Sequence, residues 1–95
     1  MTTPIILYVE DNSINANLLI KRLHKRNVLV MVAESGVEGL EMAIRHQPAV
    51  ILMDYNLPDA NGVEITQRLK NNPSTKHISV IMLTADAADN TRIAA

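Results

Sequence analysis

Three short polar segments of the chain could do chemistry together. Glu10-Asp11-Asn12 follows the apolar run Ile5 to Val9. Asp54-Tyr55-Asn56 follows Val50 to Met53, and Thr84-Ala85-Asp86 follows Ile78 to Leu83. Brought to one place, the carboxylates of Glu10, Asp11 and Asp54 repel one another, so at least one pKa must rise unless a cation sits among them. Oxygen-only ligands without a neighbouring His suit a hard divalent ion such as Mg2+. Mg2+ combines one or two carboxylates with phosphate oxygens, which points to phosphoryl chemistry with one Asp as the nucleophile. Thr84 would offer its hydroxyl to a phosphoryl oxygen. The plainer alternative is that each acid merely caps the next helix. That explains any one of them more easily than Glu10-Asp11, Asp54 and Thr84 together at three successive loop positions.

The elements that must position these residues recur as strand, loop, helix. Ile5 to Val9, Val28 to Ala33, Val50 to Met53 and Ile78 to Leu83 are continuous apolar runs rich in branched residues. Such runs fit strands covered on both faces. Between them, Ala16, Leu19, Ile20 and Leu23 form one helical stripe, with Asn12 or Ser13 available as its cap. Val37, Leu40 and Ile44 form a second stripe, stopped before Pro48. Ile65 and Leu69 anchor a third helix that runs out at Asn71-Asn72-Pro73. Asp86 to Ala95 permits a fourth. Leu57 to Gly62 reads as a turn feeding the third helix, with Gly62 supplying permissive dihedrals. The pattern is (βα)4, an α/β class with a parallel sheet and helices on both faces. A half TIM barrel shares this alternation. In an open sheet of order 2-1-3-4, the ligand crevice opens where the strand order reverses, between strands one and three, and Glu10, Asp11 and Asp54 converge there.

Composition narrows the function. The 95 residues are expected to form one domain, 1–95. Nine basic and ten acidic residues give a net charge of −1, which argues against broad cationic binding of nucleic acid or a membrane surface. The only aromatic residues are Tyr8 and Tyr55, too few for a base-stacking platform. No apolar run reaches a membrane-spanning length, and the start lacks a signal-peptide pattern. Zero Cys excludes cysteine metal sites and fits a cytoplasmic location. The basic end of the first helix, Lys21 to Arg26, reads first as a solvated face whose cations favour the helix C-terminus. His24, His46 and His77 are too scattered for a metal site, and Met31, Met42, Met53 and Met82 read as core filler.

The segments Ile6-Leu7-Tyr8-Val9-Glu10-Asp11-Asn12, Ile51 to Pro58, Gly62 and Val80 to Ala85 occur in order, with 43 residues from Asp11 to Asp54 and 30 from Asp54 to Thr84. In this pattern the sequence resembles the receiver domain of bacterial two-component response regulators. The resemblance implies a flavodoxin-like, doubly wound parallel sheet. It implies that Asp54 accepts a phosphoryl group from a phosphohistidine on a histidine kinase or histidine phosphotransfer protein. Asp11, Asp54 and the backbone carbonyl of Asn56 would ligate Mg2+, with Glu10 acting mostly through water. Thr84 would be the switch hydroxyl, small Ala85 would leave room for the donor, and Asn56 and Asp86 would tune the lifetime of the acyl phosphate. Receivers also carry a Lys at the end of a fifth strand, and an aromatic residue on it. Lys21, Lys25, Lys70 and Lys76 all fall toward the opposite rim, so none is placed to serve. The expectation is therefore a receiver cut before strand five and helix five, with strand four left as an edge. An oligomer, swapped or not, would cover that edge.

Three rival readings compete. A dehalogenase-type phosphatase also uses an Asp after a strand, but wants a second Asp where Asn56 stands. An FMN-binding flavodoxin needs a Ser/Thr/Gly-rich loop where Glu10-Asp11 stands. A truncated or engineered receiver fragment would share the same residues with phosphorylation impaired. The leading expectation is a signalling phosphoacceptor, not an enzyme acting on a free metabolite.

Overall fold

In the computed structural model of the chain, residues 3–83 are described. Thr84, Ala85 and Asp86 lie outside the described residues, as does the expected fourth helix. The elements are β1 (Ile5–Val9), α1 (Ser13–Leu23), β2 (Leu29–Ala33), α2 (Gly36–His46), β3 (Val50–Asp54), α3 (Gly62–Lys70) and β4 (Ser79–Leu83). The strands form one parallel sheet in the order β2-β1-β3-β4. This is the open doubly wound arrangement, and among the described residues it replaces the half-barrel alternative. None of the described helices is long and apolar enough to cross a membrane.

The apolar runs became strands because both sheet faces receive a helix. Leu7, Val9, Ile51 and Met53 point to one face and are essentially inaccessible there. They pack with Ala33, Ala43, Ile65 and Leu69 beneath α2 and α3. Gly39 of α2 sits close against the Val9 side chain, so the two elements meet with little between them. Ile6, Tyr8, Val32 and Leu52 point to the other face, toward α1, where Ala16 is the buried contact residue. At the far edge of that face Ile81 remains 48% exposed.

Each described helix starts on a side chain that accepts its first orphan amides. Asn12 Oδ1 accepts from the amides of Ile14 and Asn15 at 2.9 and 3.1 Å. Ser35 Oγ accepts from Glu38 at 3.1 Å, and Asn61 Oδ1 from Glu64 at 2.8 Å. Asn12, rather than Ser13, is thus the cap of α1. Gln47 ends α2 in a left-handed conformation just before Pro48. At the opposite rim from the acids, the Lys70 ammonium donates to the carbonyls of Lys76 and Ile78, which holds it away from Asp54.

Gly62 departs from its expected role. No glycine among the described residues has a positive φ. Gly62 is the first residue of α3. A Cβ there would collide with the carbonyl oxygen of Asp54 and press on Met53 Cγ at 2.9 Å. Space, not backbone freedom, demands glycine at this position.

Candidate functional site

The reversal point between β1 and β3 gathers the acidic residues. Glu10 and Asp11 immediately follow β1, and Asp54 is the last residue of β3. One carboxylate oxygen from each lies within 4.8 Å of the others. Glu10 and Asp54 are buried, at 5% and 7% exposure, while Asp11 is exposed. The convergence expected from strand order is therefore present. A groove of about 170 Å3 runs from Glu10 and Asp11 beside Ala16 and Ile20 toward Glu34.

Strand geometry sets the Glu10 position. Its amide donates to the Ala33 carbonyl at 2.8 Å, which extends the β1–β2 ladder by one residue. The Tyr8 hydroxyl donates to Glu10 Oε1 at 3.0 Å, and the Asn12 amide donates to Oε2 at 3.1 Å. Glu10 is thus held from below by the strand and from above by the loop that opens α1. Burial, followed by the hydrogen bond to Glu10 and the charges of Glu10 and Asp54, holds the Tyr8 phenol well above its ordinary range.

Asp54 carries the electrostatic stress of the cluster. Burial and the adjacent Glu10 push its carboxyl up from 3.8 to about 6, with Asp11 adding to the effect. The backbone amide of Asn56 works against them by favouring the ionised form. The Tyr55 amide donates to the Leu83 carbonyl at 3.0 Å, so the chain leaves β3 still tied to β4. Tyr55 is 43% exposed. The loop then turns back through a bridge between Asn56 and Asn61, and the Gly62 amide donates to the Tyr55 carbonyl at 2.7 Å. Asn56 is exposed beside Asp54.

Two site contacts were missed in the sequence. Tyr8 precedes Glu10 by two residues, and strand alternation alone could have placed them on one face. The second had no local signal. Asp59, in the β3–α3 loop, accepts from the Gly36 amide at 2.8 Å and the Val37 amide at 3.0 Å. Its carboxylate therefore sits on the N-terminus of α2, 23 residues away in the chain. Those two amides hold the Asp59 carboxyl below its usual range. Its stabilising effect is thus present above the ordinary Asp pKa and is lost as pH falls through the lowered folded value. Replacing Asp59 with Ala is expected to lower the melting temperature at neutral pH. Hydrogen exchange should show faster exchange at the Gly36 and Val37 amides; unchanged protection there would show that the contact is not formed in solution.

An all-oxygen set of two buried carboxylates and one exposed one suits a hard divalent cation such as Mg2+. Comparison with known proteins agrees with this chemistry. A family model described as the response regulator receiver domain matches residues 6–95. The chain is 38% identical over 85 residues to the polar-differentiation response regulator DivK of Brucella ovis, covering 90% of this chain and 69% of that protein. It superposes with a TM-score of 0.84 on the N-terminal domain of a response regulator receiver protein from Methanoculleus marisnigri JR1, at 30% identity, covering 90% of this chain and 69% of that one. It superposes equally well, at 28% identity, on the receiver domain of the sensor histidine kinase PA1611 from Pseudomonas aeruginosa PAO1. That alignment covers 96% of this chain and 75% of that one, and the structure has a magnesium ion coordinated in its active-site cleft. With the strand order, the acidic cleft and these matches together, the chain belongs to the receiver domain family of two-component response regulators.

Proposed function

We propose that Asp54 is the phosphoacceptor of this receiver domain and that it takes its phosphoryl group from a phosphohistidine of a histidine kinase or histidine phosphotransfer protein. The observation that carries the reading is the gathering of Glu10, Asp11 and Asp54 at the reversal point of the sheet. An Asp54 oxygen forms a bond to phosphorus as the P–N bond of the phosphohistidine breaks. The departing imidazole keeps the bonding pair and takes a proton from solvent. With its carboxyl titrating at about 6, Asp54 is mostly ionised, and hence nucleophilic, at neutral pH.

Asp11, Asp54 and the Asn56 backbone carbonyl would hold Mg2+, with Glu10 contributing mostly through water. When bound, Mg2+ supplies the positive charge that lets a carboxylate approach an anionic phosphoryl group. Thr84 as switch hydroxyl, and Asn56 and Asp86 as residues that tune the acyl phosphate lifetime, complete the reading. In this reading the chain works in the cytoplasm as a signalling acceptor, without direct contacts to nucleic acid or membrane. Among the described residues β4 is an edge strand, as is β2, and a second copy would pair on β4.

The test is covalent labelling. Incubation with acetyl phosphate and Mg2+ should add the mass of one phosphoryl group, as an adduct that survives acid and is lost in base. The Asp54→Ala variant should take up none. Equal labelling of that variant, or no labelling of the wild-type chain under conditions that label another receiver, would overturn the assignment.

A further inference from the structure

We propose that Tyr8 is a positioning residue for metal binding: its hydroxyl, donated to Glu10 Oε1 at 3.0 Å, fixes the Glu10 carboxylate in the cleft. The inference rests on the Mg2+ reading above and deepens it. Tyr8 lies on β1, flanked by β2 and β3, in register with Val32 on one side and Leu52 on the other. It is 7% exposed. A phenol anchored in the middle of a sheet has only two side-chain torsions, so its hydroxyl is presented at one place. Glu10, by contrast, has three torsions and stands just beyond the strand end.

Both Glu10 oxygens receive a proton donor from the chain itself. Tyr8 serves Oε1, and the Asn12 amide serves Oε2 at 3.1 Å. Asn12 in turn caps α1 through its own side chain. The Glu10 carboxylate is therefore clamped between the sheet and the first turn of α1. Removing the Tyr8 hydroxyl leaves one oxygen of a 5% exposed carboxylate without its partner. The side chain must then rotate toward water to recover a hydrogen bond. Such a rotation takes negative charge away from Asp11 and Asp54, where a cation would sit. Tyr8 as a mere space filler would act differently, since Phe occupies the same volume without the hydroxyl.

Groups that orient a metal-binding side chain typically change metal affinity by about 10- to 100-fold when removed. In the proposed Mg2+ site Glu10 would act mostly through water, so the lower end, about 10-fold, is expected for Tyr8→Phe. The experiment is calorimetric titration of the chain with MgCl2 for wild type, Tyr8→Phe, Glu10→Gln and the double variant. Melting temperatures without metal are recorded in parallel. The expected result is weaker Mg2+ binding in Tyr8→Phe, with little further effect of the same change in the Glu10→Gln background. The backbone amide resonance of Asn12 should also shift in Tyr8→Phe, because that amide shares the carboxylate. Unchanged affinity in Tyr8→Phe overturns the proposal. So does an equal loss in both backgrounds, which would mean that Tyr8 acts through packing. Failure of the wild-type chain to bind Mg2+ overturns the underlying metal reading, and the inference falls with it.

Discussion

Replacing Asp54 with Asn is expected to make the metal-free protein more stable at neutral pH and, with Asp54 as the proposed phosphoacceptor, to abolish uptake of a phosphoryl group. The cause is the position of the acid. Asp54 is 7% exposed and faces Glu10, and together burial and that charge raise its carboxyl from 3.8 to about 6. The folded chain therefore holds the Asp54 proton more tightly than the unfolded chain does. The stability linked to that proton is fully present below the unfolded value of 3.8. It is lost as pH rises through the folded value of about 6. At neutral pH the folded protein carries the whole cost of an ionised Asp54.

Each pKa unit corresponds to about 1.4 kcal/mol, and screening by water at the cleft mouth reduces the full shift to a cost of about 1–2 kcal/mol. Asn keeps the shape and cannot ionise, so it should recover that amount. For a domain of this size, each kcal/mol moves the melting temperature by about 4–8 °C. Denaturant unfolding at about pH 7.5 and again near pH 4 checks both magnitude and sign: the advantage of Asn should be present at the first and absent at the second. An Asn variant no more stable than wild type at neutral pH would show that the cluster carries no such stress. Saturating Mg2+ should narrow the gap, because a ligand that binds only the folded chain adds stability to the wild type.

Gly62→Ala is expected to damage the fold and the site together. A Cβ at this position meets the Asp54 carbonyl oxygen head on, with Met53 Cγ at 2.9 Å and Met82 Sδ at 3.0 Å. The methionine side chains can shift. The carbonyl cannot move without moving Asp54 itself, and the Gly62 amide is also bonded to the Tyr55 carbonyl at 2.7 Å. Two effects oppose each other. Alanine is a better helix former than glycine by about 1 kcal/mol. Overpacking a tight contact costs about 1–3 kcal/mol, and a backbone partner puts this case at the upper end. The clash should win, leaving the variant about 2 kcal/mol less stable. Urea unfolding measures this. Weaker Mg2+ binding should accompany it, because Asp54 and Asn56 sit on the displaced segment. An Ala variant as stable as wild type would mean that α3 can shift away from β3 at no cost.

The same residue shows where reading the chain stops short. A glycine after a run of turn formers suggests a need for unusual dihedrals, yet Gly62 opens α3 without a positive φ. Its reason is the closeness of β3, which no neighbour in the sequence announces. Asp59 is a similar case. It reads as one more turn residue, but its carboxylate closes the N-terminus of α2 across 23 residues. Tyr8 was legible in principle, because the two-residue period of a strand puts it on the same face as Glu10. What could not be read was that its hydroxyl would reach the carboxylate.

By itself, the sequence determined the order of strands and helices, a cap for α1 at Asn12 or Ser13, and the chemical character of the site. Those follow from short-range rules: unbroken apolar runs for strands buried on both faces, stripes for helices, and polar residues at their junctions. It also carried the motif whose strand order brings Glu10, Asp11 and Asp54 together. The tertiary structure decided the rest: which carboxylate is buried and rises to about 6, which donors clamp Glu10, and why Gly62 has no room for a side chain. Burial and close approach depend on how separate elements settle against one another within a few ångströms. Local propensity does not encode that distance, and pKa values, hydrogen bonds and steric limits all depend steeply on it.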